Sequence, residues 1–535
     1  MTGFTAPPSD AGVIRALPCD SPCEPAAASW ILAATILASS MAFIDGTVVN
    51  VALPALQGQL NASLVDVQWV IEAYALFLAA LLLVGGAAGD RFGRRRVFLL
   101  GVALFALSSL GCGLAGNVRE LVLARAVQGI GGALLVPGSL AIISASFAEH
   151  ERGKAIGTWS GATAITAALG PILGGWLIDH WSWRAVFFIN LPLAAAVIAI
   201  ALRHVPESRS ARIQGKLDWL GALLVTLGLG GVVYALIESS NAAWLQPGIL
   251  ASLLVGVVAL AGFIAVEVRQ EAPMMPTRLF RSRTFTGANL LTFLLYGALG
   301  GSLFFVPLNL IQVQGYSTTA AGAAMLPLIV LLSLLSRWSG GLIDRFGAKA
   351  PLVIGPTIAA VGFALFAIPG IGGSYWITFF PAAAVLGIGM SISVAPLTTT
   401  VMNAVEAGFS GAASGINNAA SRVASLLAVA VFGLIVTSMF ERSLHSRLEH
   451  SAVAPRVAEA IEQQRNKLAA IELPEGIGAD AEASARQAIA AAFVTGFRAI
   501  MLLGAVLALA SAASAWMLIE NARPPGPRDR KIDTS

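Results

Sequence analysis

Long apolar runs, broken by short charged or Pro/Gly-containing segments, dominate the chain from Trp30 to Ile519. Stretches such as Ala73–Gly89 and Ile249–Val266 carry almost no charge and approach the ~20 residues that cross a bilayer. With no water in the hydrocarbon, each run must satisfy its own backbone as a helix. No stretch alternates with the polar-in, apolar-out period of a barrel strand. The pattern predicts helices near 30–54, 66–88, 97–116, 119–145, 155–178 and 184–202, then two near 217–237 and 248–267. Six more follow near 286–311, 318–341, 350–369, 376–402, 412–438 and 493–519. The expected fold class is an all-α polytopic membrane protein with fourteen spans. A polar segment, 439–492, separates the last two, and its spacing predicts a surface helix over 457–471 on a solvated cap.

Basic residues set the expected orientation. With the N-terminus inside, the inner loops hold Arg91, Arg94, Arg95, Arg96, Arg152, Lys154, Arg203, Arg209, Arg212 and Lys216. They also hold Arg269, Arg278, Arg281, Arg283, Arg345 and Lys349, and the tail adds Arg523, Arg528, Arg530 and Lys531. Short outer loops show only Arg119 and Arg184. This asymmetry predicts a multi-pass protein of the cytoplasmic (inner) membrane with both termini in the cytoplasm. The long outer segment 439–492 carries six basic residues, but long loops translocate largely regardless of charge.

Composition agrees with the pattern: of 535 residues, 57% are hydrophobic and only 12% charged. The 55 glycines suit membrane helices that approach through small residues. A net charge of +4 is scattered through loops, which points to membrane orientation and away from nucleic acid. Cys19, Cys23 and Cys112 are read as free thiols, since no histidine or further cysteine accompanies the first pair. No cleaved signal is expected before the helix that starts at Trp30.

A duplicated string organises the chain. Asp90-Arg91-Phe92-Gly93 follows the second helix, and Asp344-Arg345-Phe346-Gly347 follows the tenth, 254 residues later. Gly129-Ile130-Gly131 returns as Gly387-Ile388-Gly389, and Gly153 as Gly411, both at an offset of 258. The expected domains are an N-terminal tail (1–29), a six-helix bundle (30–202) and a linker with two extra helices (203–285). A second six-helix bundle (286–520, containing loop 439–492) and a tail (521–535) complete the chain. Two parallel halves about an axis along the membrane normal are a known transporter architecture, with a central cavity between them.

At this level the sequence resembles the major facilitator superfamily and, within it, the fourteen-helix drug:proton antiporters, over about residues 30–520. Gly86, Asp90, Arg91, Gly93, Arg94 and Arg95 match the superfamily's loop signature, with Ala88 replacing the usual leucine. Asp45-Gly46-Thr47 through Pro54 is close to the acidic first-helix signature of that branch. Arg125, Gln128, Gly129 and Gly131 are similar to its fourth-helix signature. Gly170-Pro171 and Gly174-Gly175 resemble the antiporter signature, with Thr166 where an earlier glycine is common. Trp183-Arg184 and Asn190-Leu191-Pro192 follow. The resemblance implies proton-driven efflux, with a cytoplasmic gate at Gly86, Asp90, Arg91, Gly93, Arg94, Asp344 and Arg345.

The residues themselves allow a chemistry. Asp45 lies about ten residues, roughly 15 Å, inside the outer end of its helix, and Glu72 and Arg125 lie roughly 10 Å inside theirs. Ionisable groups in hydrocarbon usually face a cavity or a partner. Arg125 reads either as an ion pair tying helices one, two and four, or as the cation that tunes a proton-carrying carboxylate, Asp45 or Glu72; burial favours the neutral acid, a nearby cation the ionised one. Gln68 and Glu72 share a face with Ala79, Leu83 and Gly86, as suits a cavity-lining helix. Gly170, Pro171, Gly174 and Gly175 read as a bend and a close-packing face, or as ordinary membrane-helix glycines. Candidate cavity residues are Phe43, Gln68, Trp69, Tyr74, Trp159, Asn417, Asn418 and Arg422.

The leading expectation is proton-driven antiport of amphipathic or lipophilic small molecules, such as drugs, by alternating access. Export of a lipid or metabolic precursor on the same scaffold is the alternative, and proton-coupled uptake a weaker one. The expected partners are the small-molecule substrate, protons and membrane lipid, with an unassigned partner at 439–492. No cofactor beyond the proton motive force, no metal site and no enzymatic activity are expected. The five histidines show no ligand spacing and no phosphate-binding loop occurs.

Overall fold

The structure, a computed structural model, describes residues 25–147, 149–209, 218–239, 246–270, 275–406, 410–450, 453–474 and 477–520. Cys19, Cys23, Arg212, Lys216 and the basic C-terminal tail lie outside the described residues, as do the side chains of Arg152 and Asp344.

Among the described residues fourteen helices are long and apolar enough to cross a membrane, and the chain is a multi-pass integral membrane protein. The first six are α1 (Ala27–Leu60), α2 (Leu64–Phe92), α3 (Arg94–Leu114), α4 (Val118–Ser146), α5 (Lys154–His180) and α6 (Ala185–His204). Two central helices follow, α7 (Trp219–Glu238) and α8 (Pro247–Arg269). The rest are α9 (Arg283–Val313), α10 (Thr318–Leu335), α11 (Lys349–Phe366), α12 (Tyr375–Asn403), α13 (Ala412–Glu449) and α14 (Ala479–Leu518).

Local signals explain where several helices begin. Ser63 accepts from the Asp66 amide at 3.2 Å while Asp66 accepts from the Ser63 amide at 2.8 Å, a reciprocal cap that starts α2. Asn117 caps α4 through the Glu120 amide at 3.0 Å, and Asp218 caps α7 through the Gly221 amide at 2.8 Å. The duplicated string ends both times on a glycine with positive φ, 113° at Gly93 and 75° at Gly347. A side chain resists that conformation, so the repeat keeps glycine at both turns.

In the first bundle α1 packs on α4, α5 and α6, and α4 on α2 and α3. In the second, α9 packs on α13 and α14, and α11 on α12 and α14. The bundles meet where α1 touches α9, α2 touches α13 and α5 touches α10. The α7–α8 hairpin rests on α2 and α13, across the junction.

The segment 439–492 differs from its expectation. Its two ends are helical, since α13 runs on to Glu449 and α14 starts at Ala479. Phe440, Leu444 and Leu448 share one face of α13 and are buried in the same core as Ala485 and Ile489 of α14. Helical spacing of apolar residues on both sides builds a projecting hairpin that overall polarity conceals. Between these two helices the described residues hold a short helix, Pro455–Gln463, and a 3₁₀ turn, Arg465–Ala470. This stretch is not simply a solvated cap. Ile461, Leu468 and Ile471 are buried in one core with Leu56, Ala62 and Leu64. The 3₁₀ turn touches α1, α2, α13 and α14, so it spans both bundles at this face.

Candidate functional site

Asp45 on α1 and Arg125 on α4 form a buried ion pair. Arg125 also donates to the Gln128 Oε1 at 2.7 Å and to the Val70 carbonyl at 3.0 Å. Gln128 Nε2 in turn donates to the second Asp45 oxygen at 2.9 Å and to Ser109 Oγ at 2.7 Å, and Asn190 donates to the same hydroxyl at 3.1 Å. The guanidinium lies 4.3 Å from the Tyr74 ring centroid. Five helices, α1, α2, α3, α4 and α6, therefore contribute to the network around one carboxylate–guanidinium pair whose carboxylate oxygens are both engaged. Buried charge is tolerated only when it is paired and hydrogen-bonded in this way.

Glu72 stands apart from this cluster. It is 1% exposed, and its Oε2 has no hydrogen-bond partner among the described residues. Arg125 bonds Asp45 and the α2 backbone, and no bond joins it to Glu72. The two acids of the first bundle thus occupy different environments, one paired and one with an oxygen left over.

The remaining sequence candidates separate by position. Gln68 reaches across the junction and donates to the Val429 carbonyl of α13 at 2.9 Å. Trp69 donates to Glu238 of α7 at 3.0 Å, which ties the extra hairpin to α2. Trp159 is buried in the first bundle and donates to Ser39 at 3.1 Å, and Phe43 packs against the same core. Asn417 donates to Asn289 at 3.2 Å and to Thr292 at 2.6 Å, while the Asn418 carbonyl accepts from Ser421. Arg422, ten residues past the start of α13 and so about 15 Å along it, is half-buried and within electrostatic range of Tyr74.

Arg94, Arg95 and Arg96 of the loop string are engaged by Asp90 and by the start of the 203–285 linker. Arg94 pairs with Asp90 at 2.8 Å and its amide donates to the Ser208 carbonyl at 2.9 Å. Glu207 accepts from the Arg95 amide at 3.1 Å and lies 3.6 Å from the Arg96 Nε. Sequence reading missed Glu207, although a lone acid in a basic loop is a visible signal. Gly86 lies over Pro137 of α4. Arg345 is exposed near the end of its short helix.

The glycines of α5 have packing partners on two sides. A Cβ at Gly170 would meet Thr47, and one at Gly174 would meet Val48, both on α1 next to Asp45. A Cβ at Gly175 would sit 2.6 Å from the Thr318 carbonyl of α10, and one at Gly322 would meet the Pro171 carbonyl. The same stretch therefore touches the ion-pair helix and the opposite bundle.

Two further contacts close this face and were not legible in the sequence. Asp179, at the end of α5, accepts from the Thr318 amide at 3.1 Å, the Thr319 amide at 2.9 Å and the Thr319 hydroxyl at 2.6 Å. It acts as a charged cap on α10 supplied by the other bundle. Gln312 donates to Gln57 at 2.7 Å between α9 and α1. Asp179→Ala is expected to loosen the face by about 1–2 kcal/mol. Disulfide yield between Gln57→Cys and Gln312→Cys, in a background with the three native cysteines replaced, should fall. An unchanged yield would make Asp179 a local cap only.

Among the described residues no group of three or more His, Cys, Asp or Glu could hold a metal ion, and Cys112 is a buried free thiol. Residues 35–429 match the Major Facilitator Superfamily. The chain is 34% identical over 425 residues to Multidrug resistance protein Stp of Mycobacterium tuberculosis, covering 79% of each. It is 35% identical over 439 residues to the Tetracenomycin C resistance and export protein of Streptomyces glaucescens, covering 81% of this chain and 80% of that one. Its fold matches the crystal structure of a bacterial homologue of the human lysosomal transporter Spinster, with a TM-score of 0.64 at 19% identity, over 92% of this chain and 97% of that one. The chain belongs to the major facilitator superfamily and is an alternating-access transporter of small molecules, not an enzyme.

Proposed function

We propose that this transporter exports amphipathic or lipophilic small molecules in exchange for protons, with the basic-loop face in the cytoplasm. The observation that carries this reading is the fully buried Asp45–Arg125–Gln128 cluster joining α1 to α4. Protonating Asp45 removes the charge that holds Arg125, and α1 is the helix that also packs on the α5 glycines and on α9. A proton at Asp45 thereby bears on both inter-bundle contacts of the opposite face. Coupling follows if proton and cargo favour different arrangements of those contacts. The names of the relatives, a multidrug resistance protein and a resistance and export protein, support the outward direction.

A second reading is export of an endogenous product on the same scaffold, supported by the similarity to a protein named for tetracenomycin C export and to the Probable actinorhodin transporter of Streptomyces coelicolor. Expression in an efflux-deficient host, with drug accumulation followed with and without an uncoupler, separates the two. Lowered accumulation that the uncoupler reverses supports drug export. Unchanged accumulation, with a native metabolite retained inside a deletion strain of the source cell, supports the second. Uncoupler-sensitive uptake into the host would overturn both.

A further inference from the structure

An apolar cavity of about 400 Å³ lies between the extra hairpin and the junction of the two bundles. Ala79 and Leu83 of α2, Val225 and Leu229 of α7, Phe263 of α8 and Val423 of α13 form its walls. A second cavity, about 230 Å³ between α9, α13 and α14, shares Phe293 with the first. Together they follow α9 from Thr286 to Gly297, about 16 Å at 1.5 Å per residue. That is about half of a ~30 Å hydrocarbon core, the depth of one leaflet. The track starts at the basic-loop end of α9 and opens sideways, because Leu290 is 40% and Phe293 37% exposed on its rim.

The polar groups along this track are already engaged. Asn289 donates to the Phe285 carbonyl at 2.9 Å and accepts from Asn417 at 3.2 Å, and the Thr286 hydroxyl donates to the Phe280 carbonyl at 2.8 Å. A drug pocket needs placed polar groups to orient its ligand. This slot offers hydrocarbon surface alone. Its mouth is different. Arg281 ends the 3₁₀ turn Thr277–Arg281, Arg283 starts α9, and both are exposed with no carboxylate at ion-pair distance among the described residues. Of the acids at this end, Glu267 is buried and accepts from the Met275 amide at 2.7 Å, while Glu520 is held at Thr284 through its backbone amide at 3.2 Å.

We propose that this is a binding site for an anionic phospholipid of the basic-face leaflet, with an acyl chain in the slot and the phosphate at Arg281 and Arg283. The lipid fills the space between the α7–α8 hairpin and the moving bundles, so the hairpin stays seated as α2 and α13 shift. The site depends on neither the direction nor the cargo of transport.

Full-length protein in vesicles carrying phosphatidylglycerol or phosphatidylcholine, each with a photoactivatable group at the acyl end, tests this by peptide mapping. Adducts are expected on α7, α9 and α13, favouring phosphatidylglycerol by about thirtyfold, as two surface arginines would give. Arg281→Gln with Arg283→Gln should remove the headgroup preference and keep slot labelling by both lipids. Val225→Trp should fill the slot and abolish its adducts, while labelling of the exposed Leu107 surface of α3 stays constant; Phe263→Trp replaces it if that variant does not fold. Equal labelling by the two lipids in the parent protein, or adducts spread evenly over all lipid-facing helices, would overturn the site. Displacement of the adducts by a saturating transported substrate would also overturn it, by assigning the slot to cargo.

Discussion

Asp45→Asn is expected to abolish concentrative transport and to lower the stability of the purified protein. The loss is on the order of 3–5 kcal/mol, the cost of leaving a buried charge without its partner. Arg125 would keep Gln128 and the Val70 carbonyl but no anion. Stability and coupling are separated by the double variant Asp45→Leu, Arg125→Met. Replacing both partners by apolar groups of similar volume is often neutral, so this variant should recover most of the thermal stability while remaining unable to concentrate substrate. One proton moved across 100 mV supplies about 2.3 kcal/mol, or about a fiftyfold gradient, and that gradient is what should vanish. Proteoliposomes with an imposed pH gradient measure it, with downhill counterflow as the control for an intact cavity. Uphill transport that survives in a well-folded Asp45→Asn protein would reduce the pair to a structural tie.

Glu72→Gln gives the complementary result. Its Oε2 has no partner to lose, so stability should hold or rise, whereas substrate range or coupling changes if the carboxyl faces cargo or proton.

Gly175→Val is expected to stop transport for a different reason. A Cβ there would stand 2.6 Å from both the Thr318 carbonyl oxygen and the Thr319 Cα. Those atoms are backbone and cannot rotate away, so α5 and α10 must separate. Overpacking in close-packed regions typically costs about 1–3 kcal/mol. Here the strain falls on one inter-bundle contact and should hold that face open. The Gln57→Cys, Gln312→Cys disulfide yield should drop, as for Asp179→Ala but further, and turnover should fall below about a tenth of the parent. Gly161→Val on the same helix meets nothing within 4 Å and serves as the control. Normal turnover by Gly175→Val would show that the contact is not needed in the cycle.

Much of the fold is legible in one dimension because a membrane removes the choices that water leaves open. Each apolar run had to be a helix, and the fourteen runs from Trp30 to Ile519 correspond to the fourteen candidate spans. The duplicated string with its glycines, the acid on α1 and the arginine on α4 could be read as motifs. The length of α13 and α14 could not, because the hairpin beyond the membrane is apolar on one face only, and mean polarity hides a single buried stripe.

Which acid meets which base was decided only by packing. Asp45 and Glu72 fall at similar depth by residue count, yet helix rotation gives Arg125 to the first and leaves an oxygen of the second without a partner. Ser109 and Asn190 join the cluster because α3 packs on α4 and α6 packs on α3, contacts that sequence spacing does not encode. The partners of Asp179 and the Gln57–Gln312 bond are invisible for the same reason, since they join residues over a hundred positions apart; Glu207 stands out as an acid in a basic loop, but its partner Arg95 is equally remote in sequence. The sequence by itself determined the number of helices, their alternation through the bilayer and the glycines that allow close approach, since solvent exclusion and sterics act locally. The tertiary structure alone decided the partners of the buried charges, the closure of one face and the apolar slot beside α7, since these depend on how helices are rotated against one another.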